Sequence, residues 1–491
     1  MKLLKNGVVI EEAGAEPVSR ELLIDGDTIV DLLEPGTQVA DAEPIDVDGM
    51  LIHPGLVNAH MHAHGTLAKG TADRWSLELL LSAGASMCAE RHDEEKYLSA
   101  LLGAGELALK GCTSVYDMCL EMPLPTPQGV AAVARGYADI GLRAVIAPML
   151  SDIDFFNAIP GLIEQLPADL QARLRRSPTP ASASLDAMRD ILTSWPTVDG
   201  DIRPALAPTI PLHCSEALLT GCRDLAAEFG LSIQSHLQES KLQALSGLKR
   251  YGMTLTAYLD SLGILGPHFV ASHGVWLDDD DMARLGNAGA SVSHNPGSNL
   301  ILGSGLADVR RMMEHGINVA LGTDGANCAD NLNMYESMRT ALRVSHVRSP
   351  DMSAWLSATE ALEMATVNGA KALGLRNVGR ILPGYQADLV LLDLSHVNWL
   401  PRNDANVQLV QSEDGTAVHS TMVRGRWVVR NRELVNCNLR KLRGSVNTTL
   451  ARLKERSVAH SSLFENLKPA ISCFCPMLMR SQYRVERFGS S

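Results

Sequence analysis

The chain has 491 residues and a formal net charge of −13, with 46% hydrophobic and 20% charged residues. That length exceeds one typical core, so a large domain with a smaller companion is expected, and the composition is that of a globular chain rather than a disordered one. No apolar run reaches the ~18 residues a membrane span needs, and the acidic balance leaves no basic face for polymeric nucleic acid, while a nucleobase-sized small molecule stays open.

The opening run Met1-Lys-Leu-Leu-Lys-Asn-Gly-Val-Val-Ile10 lacks the long apolar core and cleavage site of a secretion signal. Nine scattered cysteines match neither a disulfide framework nor a Cys-x-x-Cys zinc site. Both features predict a cytoplasmic protein with packed thiols. Short β-like runs follow at Gly7–Ile10 and Leu22–Asp25, and similar runs return at Ala387–Asp393 and Ser420–Val429. Residues 1–55 and 379–440 are therefore expected to build one composite β-sandwich.

Between them, over 56–378, apolar runs alternate with helical patterns, as repeated strand-then-helix units do. The predicted strands are Leu56–Ala59, Thr113–Tyr116, Arg143–Ala147, Arg203–Leu206, Leu231–Gln234, His268–Ala271, Ala290–Ser293 and Asn318–Leu321. Eight such strands predict an α/β fold, a TIM (β/α)8 barrel. Helical spacing covers Glu94–Lys110, stopped by Gly111, and Ala354–Leu373. Beyond residue 440 a basic, helix-permissive stretch carries no recognisable chemistry, and 441–491 reads as an appended tail of unknown role.

His60 and His62 lie two apart at the end of the first predicted strand, so a regular strand projects both to one side. On that spacing alone they are either metal ligands or polar loop histidines. Three later runs, Gln234-Ser-His236, Ala271-Ser-His273 and Leu321-Gly-Thr-Asp324, each place an imidazole or carboxylate just past an apolar β run. In a barrel the C-terminal strand ends converge, so His60, His62, His236 and Asp324 would meet at one mouth. Three imidazoles and a carboxylate suit one divalent ion, Zn2+ in the first place and Fe2+ as the alternative.

The chain resembles the amidohydrolase superfamily, in particular its aminohydrolase branch of S-adenosylhomocysteine/methylthioadenosine deaminases, guanine deaminases and triazine hydrolases. The resemblance is carried by Pro54-Gly-Leu-Val-Asn-Ala-His-Met-His62, Ser235-His-Leu-Gln-Glu-Ser240, Val292-Ser-His-Asn-Pro-Gly-Ser-Asn-Leu300, Leu321-Gly-Thr-Asp-Gly-Ala326, Ala365-Thr-Val-Asn-Gly-Ala370 and Gly384-Tyr-Gln-Ala-Asp-Leu389. It implies a distorted TIM (β/α)8 barrel, a β-sandwich made from both termini, and one catalytic metal on residues matching His60, His62, His236 and Asp324. It also implies Glu239 as the acid that protonates substrate and His273 as a base that, with Asp324, takes the proton of the activated water. His294 is either a pocket residue or a structural histidine, and Glu78 either recognises substrate or is a surface helix charge. His64 receives no ligand role, and His53, His213, His346, Lys69 and Trp75 stay unassigned.

The pattern departs from the adenosine-processing relatives in Ala207-Pro-Thr-Ile-Pro-Leu-His-Cys-Ser215, where Thr209 replaces their substrate-contacting imidazole and His213 is displaced by four positions. An arginine they offer to substrate is also missing near Ala147-Pro148, and Arg74 and Trp75 differ from the residues common before Glu78. Altered buried contacts change substrate choice more readily than reaction type. The expectation is a hydrolytic deaminase of an amino-substituted N-heterocycle such as a purine, nucleoside, pterin or triazine-like ring, with a homo-oligomer in keeping with related enzymes. The alternatives are a same-fold hydrolase expelling chloride, alkylamine or an amide nitrogen, and a catalytically silent binding barrel. A Cys-ligated nucleobase deaminase would need a His-x-Glu and Pro-Cys-x-x-Cys pair, which is absent.

Overall fold

The computed structural model describes residues 1–88, 91–174, 179–195, 201–329 and 331–488. The chain opens with β1 (Lys2–Val9), β2 (Val18–Asp25), β3 (Thr28–Leu33), β4 (Glu43–Asp46) and β5 (Met50–Pro54). The strands β6 (Leu56–Met61), β7 (Cys112–Cys119), β8 (Arg143–Leu150), β9 (Ile202–Pro204) and β10 (Ala207–Pro208) follow. Next come β11 (Ile233–Leu237), β12 (Phe269–His273), β13 (Ser291–His294) and β14 (Asn318–Leu321). The last four are β15 (Leu389–Asp393), β16 (Val418–Val423), β17 (Arg426–Arg430) and β18 (Glu433–Leu434).

Both ends of the sequence share one nine-stranded sheet, ordered β18-β17-β16-β15-β5-β1-β2-β3 with β4 beside β1. Its join is the antiparallel pairing of β5 with β15, Pro54 opposite Leu389 through Met50 opposite Asp393. The central strands form two parallel sheets, β10-β8-β7-β6 with β9 on β8, and β11-β12-β13-β14. Their strands are buried along their whole length, or nearly so, which is why they read as apolar runs rather than as alternation. Val57, Ala59, Tyr116, Met118, Val145 and Ala207 of the first sheet pack in one apolar cluster with Val270 and Ala320 of the second. Leu206 N and Gln234 N link the sheets at one edge, bonding Ser232 O and Leu206 O, and Asp324 N donates to His60 O at the other.

Each of the eight predicted central strands overlaps an observed one, except that the fourth is interrupted: β9 ends at Pro204 and β10 begins at Ala207. Pro204 and Pro208 lack the N–H that a continuous ladder uses. The expected single helix over Ala354–Leu373 is two, Ala358–Met364 and Val367–Ala372, separated at Thr366, whose backbone is non-helical (φ −129°, ψ −94°). The Ala365 carbonyl accepts from Val57 N of β6 (2.8 Å) instead of from the next helical turn, and the Gly379 backbone packs so close to Thr366 and Val367 that an added Cβ would stand 2.8 Å from them.

Residues 439–479 are helical, as Leu439–Arg456 and Val458–Met479, and the second helix buries Phe464, Leu467, Ile471, Phe474 and Cys475. The segment is thus packed on the body of the protein rather than merely appended to it. No described helix is long and apolar enough to cross a membrane. All nine cysteines are unpaired and seven of them are buried.

Candidate metal and catalytic site

The ends of β6, β11 and β12 and the turn after β14 bring five side chains together: His60, His62, His236, His273 and Asp324, each with 9% exposure or less. His60 and His62 meet although β6 pairs irregularly with β7 between Asn58 and Met61; their ring centroids are 4.7 Å apart. His60 Nε2 and His62 Nε2 lie 3.6 Å and 3.3 Å from Asp324 Oδ1, and His273 Nε2 lies 3.6 Å from Asp324 Oδ2.

The outward nitrogen of each ring is already engaged. Nδ1 of His62 donates to Met118 O (2.7 Å) and Nδ1 of His236 to Thr209 O (2.6 Å). Nδ1 of His60 faces Gln234 Oε1 (2.9 Å), and Nδ1 of His273 faces Asn299 Oδ1 (2.8 Å). These partners only accept, so the proton of each neutral ring sits on Nδ1 and the Nε2 lone pair points inward. His62 Nε2 and His236 Nε2 then face each other at 3.1 Å with no proton between them. His60 Nε2 has no hydrogen-bond partner at all. Converging lone pairs with their outer nitrogens anchored are the donor arrangement of a metal site, and a cation is what relieves their repulsion.

The electrostatics agree. Burial pushes the pKa of His60 down to about 3, helped by His62. Burial, then His60, His62 and His273, carry His236 well below the ordinary imidazole value. Burial opposes the charge of Asp324, yet His62, His60 and His273 hold its carboxyl below the usual range. His60, His62, His236 and Asp324 thus offer three imidazoles and a carboxylate, a donor set for a divalent metal ion. His60 with His62 and Asp324, and His60 with His236 and His273, each have donor atoms within 4.8 Å of one another.

Glu239 follows His236 by three residues and reaches the same cluster, its Oε1 3.7 Å from His273 Nε2. Burial raises its pKa well above the usual carboxyl value, and the Asp324 and Glu78 carboxylates add to the shift. The shift favours the protonated form of Glu239. Glu78, on the helix Leu77–Ser82, is only 2% exposed and accepts a hydrogen bond from Ser240 Oγ (2.9 Å). This rules out the surface-charge alternative. Ser240 also caps the helix Lys241–Tyr251, so the Glu78 contact is built into the start of the element that follows Glu239. His294 is buried with neither ring nitrogen partnered, and burial brings its pKa to about 3.

Thr209 is half-buried; its carbonyl anchors His236 while its hydroxyl faces Met149 Sδ (3.3 Å). His64 stands beside His62, ring centroids 5.1 Å apart, and accepts from Leu120 N. The remaining histidines serve elsewhere: His53 pairs with Tyr335, His213 packs on Phe155 and His346 stacks on Trp355. Lys69 pairs with Glu106, and Trp75 packs on Phe464.

Several positioning residues escaped the sequence reading. Gln234 holds the His60 ring and donates to Ala59 O (2.9 Å); Ser272 Oγ is 3.1 Å from the same His60 nitrogen. Asn58 Oδ1 accepts from Thr323 N and His60 N while its Nδ2 donates to Thr323 Oγ1, tying β6 to the turn that carries Asp324. A signal existed, since Asn58 and Gln234 each lie two residues before a ligand and so share its side of the strand.

The amidohydrolase family profile matches residues 51–428. The chain belongs to the amidohydrolase family. Among curated amidohydrolase relatives, a 5'-deoxyadenosine deaminase of Methanothermobacter thermautotrophicus is 36% identical over 422 residues, covering 84% of this chain and 90% of that protein. A 5-methylthioadenosine/S-adenosylhomocysteine deaminase of Syntrophobacter fumaroxidans is 33% identical over 401 residues, covering 80% and 84%. Among solved structures, a zinc-bound adenosine deaminase from Xanthomonas campestris superposes with a TM-score of 0.78 at 26% identity, covering 92% of this chain and 98% of the other. The zinc complex of an atrazine chlorohydrolase from Arthrobacter aurescens, at 24% identity and a TM-score of 0.81 over 92% and 100% of the chains, shares the fold.

Proposed function

We propose that this amidohydrolase is a metal-dependent hydrolytic deaminase that releases ammonia from the amino-substituted ring of an adenosine-like nucleoside. In this reading the two parallel sheets together are the distorted (β/α)8 barrel, and the terminal strands are its β-sandwich. The observation that carries it is the cluster of inward-facing Nε2 lone pairs around Asp324 with the buried Glu239 carboxyl beside it. The deaminase relatives supply the substrate class.

His60, His62, His236 and Asp324 would hold the ion. A divalent ion bound there would supply a water acidic enough to lose its proton near neutral pH. His273 accepts that proton at Nε2, because Asn299 keeps the ring's own proton on Nδ1. Glu239 delivers its proton to the ring nitrogen next to the carbon that bears the amino group, as water adds to that carbon. The proton held by His273 then passes to the amino group while the new hydroxyl gives its proton to Glu239, so that the C–N bond breaks, ammonia leaves and a ring carbonyl remains. Glu78, His294 and Thr209 line the substrate side; the unpartnered nitrogens of His294 are free to bond a nucleoside hydroxyl or ring atom.

The test is ammonia release from 5'-deoxyadenosine, 5'-methylthioadenosine, S-adenosylhomocysteine, a pterin and an aminotriazine, with the metal content of each preparation measured. We expect about one equivalent of zinc, turnover of at least one nucleoside, and a loss in Glu239→Gln on the order of 10²- to 10⁴-fold with zinc retained. Protein prepared without chelator that carries no metal, or a fully active Glu239→Gln, would refute the mechanism. Turnover of the triazine alone would refute the substrate class.

A further inference from the structure

Residues 481–488 lie outside the span matched to the family and run across the loops that follow β11, β12 and β13. Arg487 lies between two of these loops. Its Nε donates to Val275 O (3.1 Å), its Nη2 to Leu277 O (2.7 Å) and its Nη1 to Asp308 Oδ2 (3.1 Å), while its own carbonyl accepts from Leu306 N (2.7 Å). Gly305 permits this approach, since a Cβ there would stand 3.0 Å from Arg487 O. The two carbonyls that Arg487 grips flank Trp276. Trp276 in turn is tied to Gln238 in both directions, Trp276 N to Gln238 O (2.9 Å) and Gln238 Nε2 to Trp276 O (2.8 Å). Tyr483 Oη accepts from the same Gln238 amide at 3.3 Å. Gln238 immediately precedes Glu239.

Two further observations show that these contacts do more than glue a loose end down. Arg487 is only 5% exposed, and a guanidinium is withdrawn from water at a cost that is recovered only when carbonyls and a carboxylate stand ready to receive it. Gln238 (φ +47°) and His273 (φ +73°) are both non-glycine residues in the left-handed region, one in each of two loops on which the segment acts. Such conformations persist when their surroundings over-determine them. We propose that Tyr483 and Arg487 are positioning residues of the catalytic site, forming a strap that holds the loops of Gln238–Glu239 and His273 in their working arrangement. The inference rests on the assignment of Glu239 as the proton donor.

Arg487→Gln, Arg487→Lys and Tyr483→Phe, made in the full chain alongside Glu239→Gln, test it with the nucleoside substrate that the wild type turns over best. Arg487→Gln is expected to lower kcat on the order of 10- to 100-fold, the range for a small misplacement of a reacting group. KM and bound zinc stay near wild type, and amide hydrogen exchange quickens in 238–243 and 274–278 but not in the strands. Tyr483→Phe shows a smaller loss, and Arg487→Lys retains an intermediate kcat because one carbonyl contact survives. Unchanged kcat in both Arg487→Gln and Tyr483→Phe, or a loss that merely tracks lost zinc with activity per bound zinc intact, would overturn the strap. Full activity in Glu239→Gln would instead overturn the proton-donor assignment, and the exchange rates would still decide whether the segment holds the loops.

Discussion

At the scale of single residues, the arrangement of the site depends on which atom of each imidazole is already occupied. Gln234 illustrates this: its Oε1 fixes the His60 proton on Nδ1 and leaves Nε2 free. In Gln234→Leu that ring loses its main acceptor, and zinc affinity should fall about 10- to 100-fold, the usual cost of losing a partner behind a metal ligand. Competition against a chelator of known affinity would measure it. Unchanged affinity would mean that Ser272 alone suffices. The clustered residues His60, His62, His236, His273 and Asp324 are legible in the sequence, because strand-end position and residue type are local properties. Gln234 and Asn58 were not singled out, since an amide reads as an ordinary polar residue until its partner across the fold is known. Glu78 was ambiguous for a related reason: helical spacing does not reveal that Ser240, distant in sequence, buries and bonds it.

At the scale of elements, the turn Leu321–Asp324 shows how tightly strand ends are drawn together. A Cβ on Gly322 would stand 2.3 Å from Asn295 Oδ1 and 2.8 Å from His60 O, where backbone cannot yield. Gly322→Ala is expected to destabilise the protein by about 1–3 kcal/mol, the cost of overpacking, and to weaken metal binding by displacing His60 or Asp324. Thermal unfolding of the metal-free and zinc-loaded forms separates the two effects, the second predicting a smaller zinc-induced rise in Tm. The eight central strands were readable because parallel strands buried on both sides are continuous apolar runs. The helix break at Thr366 was not, because periodicity runs through Ala358–Ala372 while the Ala365 carbonyl is taken by Val57 of β6, a partner distant along the chain. The helices at 439–479 carried helical composition without any sign of what they cover; the buried face of the second only acquires meaning against Trp75 and the helices Leu77–Ser82 and Lys241–Tyr251.

At the scale of the whole molecule, the terminal sheet is joined to the rest by groups that respond to pH. His53 on β5 donates from Nδ1 to Pro54 O and accepts at Nε2 from Tyr335 Oη, both at 2.8 Å, and burial lowers its pKa from 6.5 to about 4. The unfolded chain therefore binds a proton there at a higher pH than the folded one. The stabilisation is fully present above pH 6.5 and is lost as the pH falls toward 4, a difference worth about 3 kcal/mol for a fully buried ring. Unfolding of the metal-free protein across that window, compared with His53→Gln, should show a flatter pH dependence in the variant. An equal slope in both would place the acid sensitivity elsewhere.

The pairing of β5 with β15 also bears on how the chain comes into being. Residues 50–54 leave the ribosome more than three hundred positions before their partners at 389–393. During synthesis one edge of β5 consequently stays open while the whole central region emerges. A nascent chain halted before residue 389 carries an exposed strand edge, the kind of surface that recruits chaperones or misassembles with its neighbours. Contacts so distant along the chain also make the last closure slow, so maturation of this protein is paced by the meeting of its two ends rather than by its catalytic core.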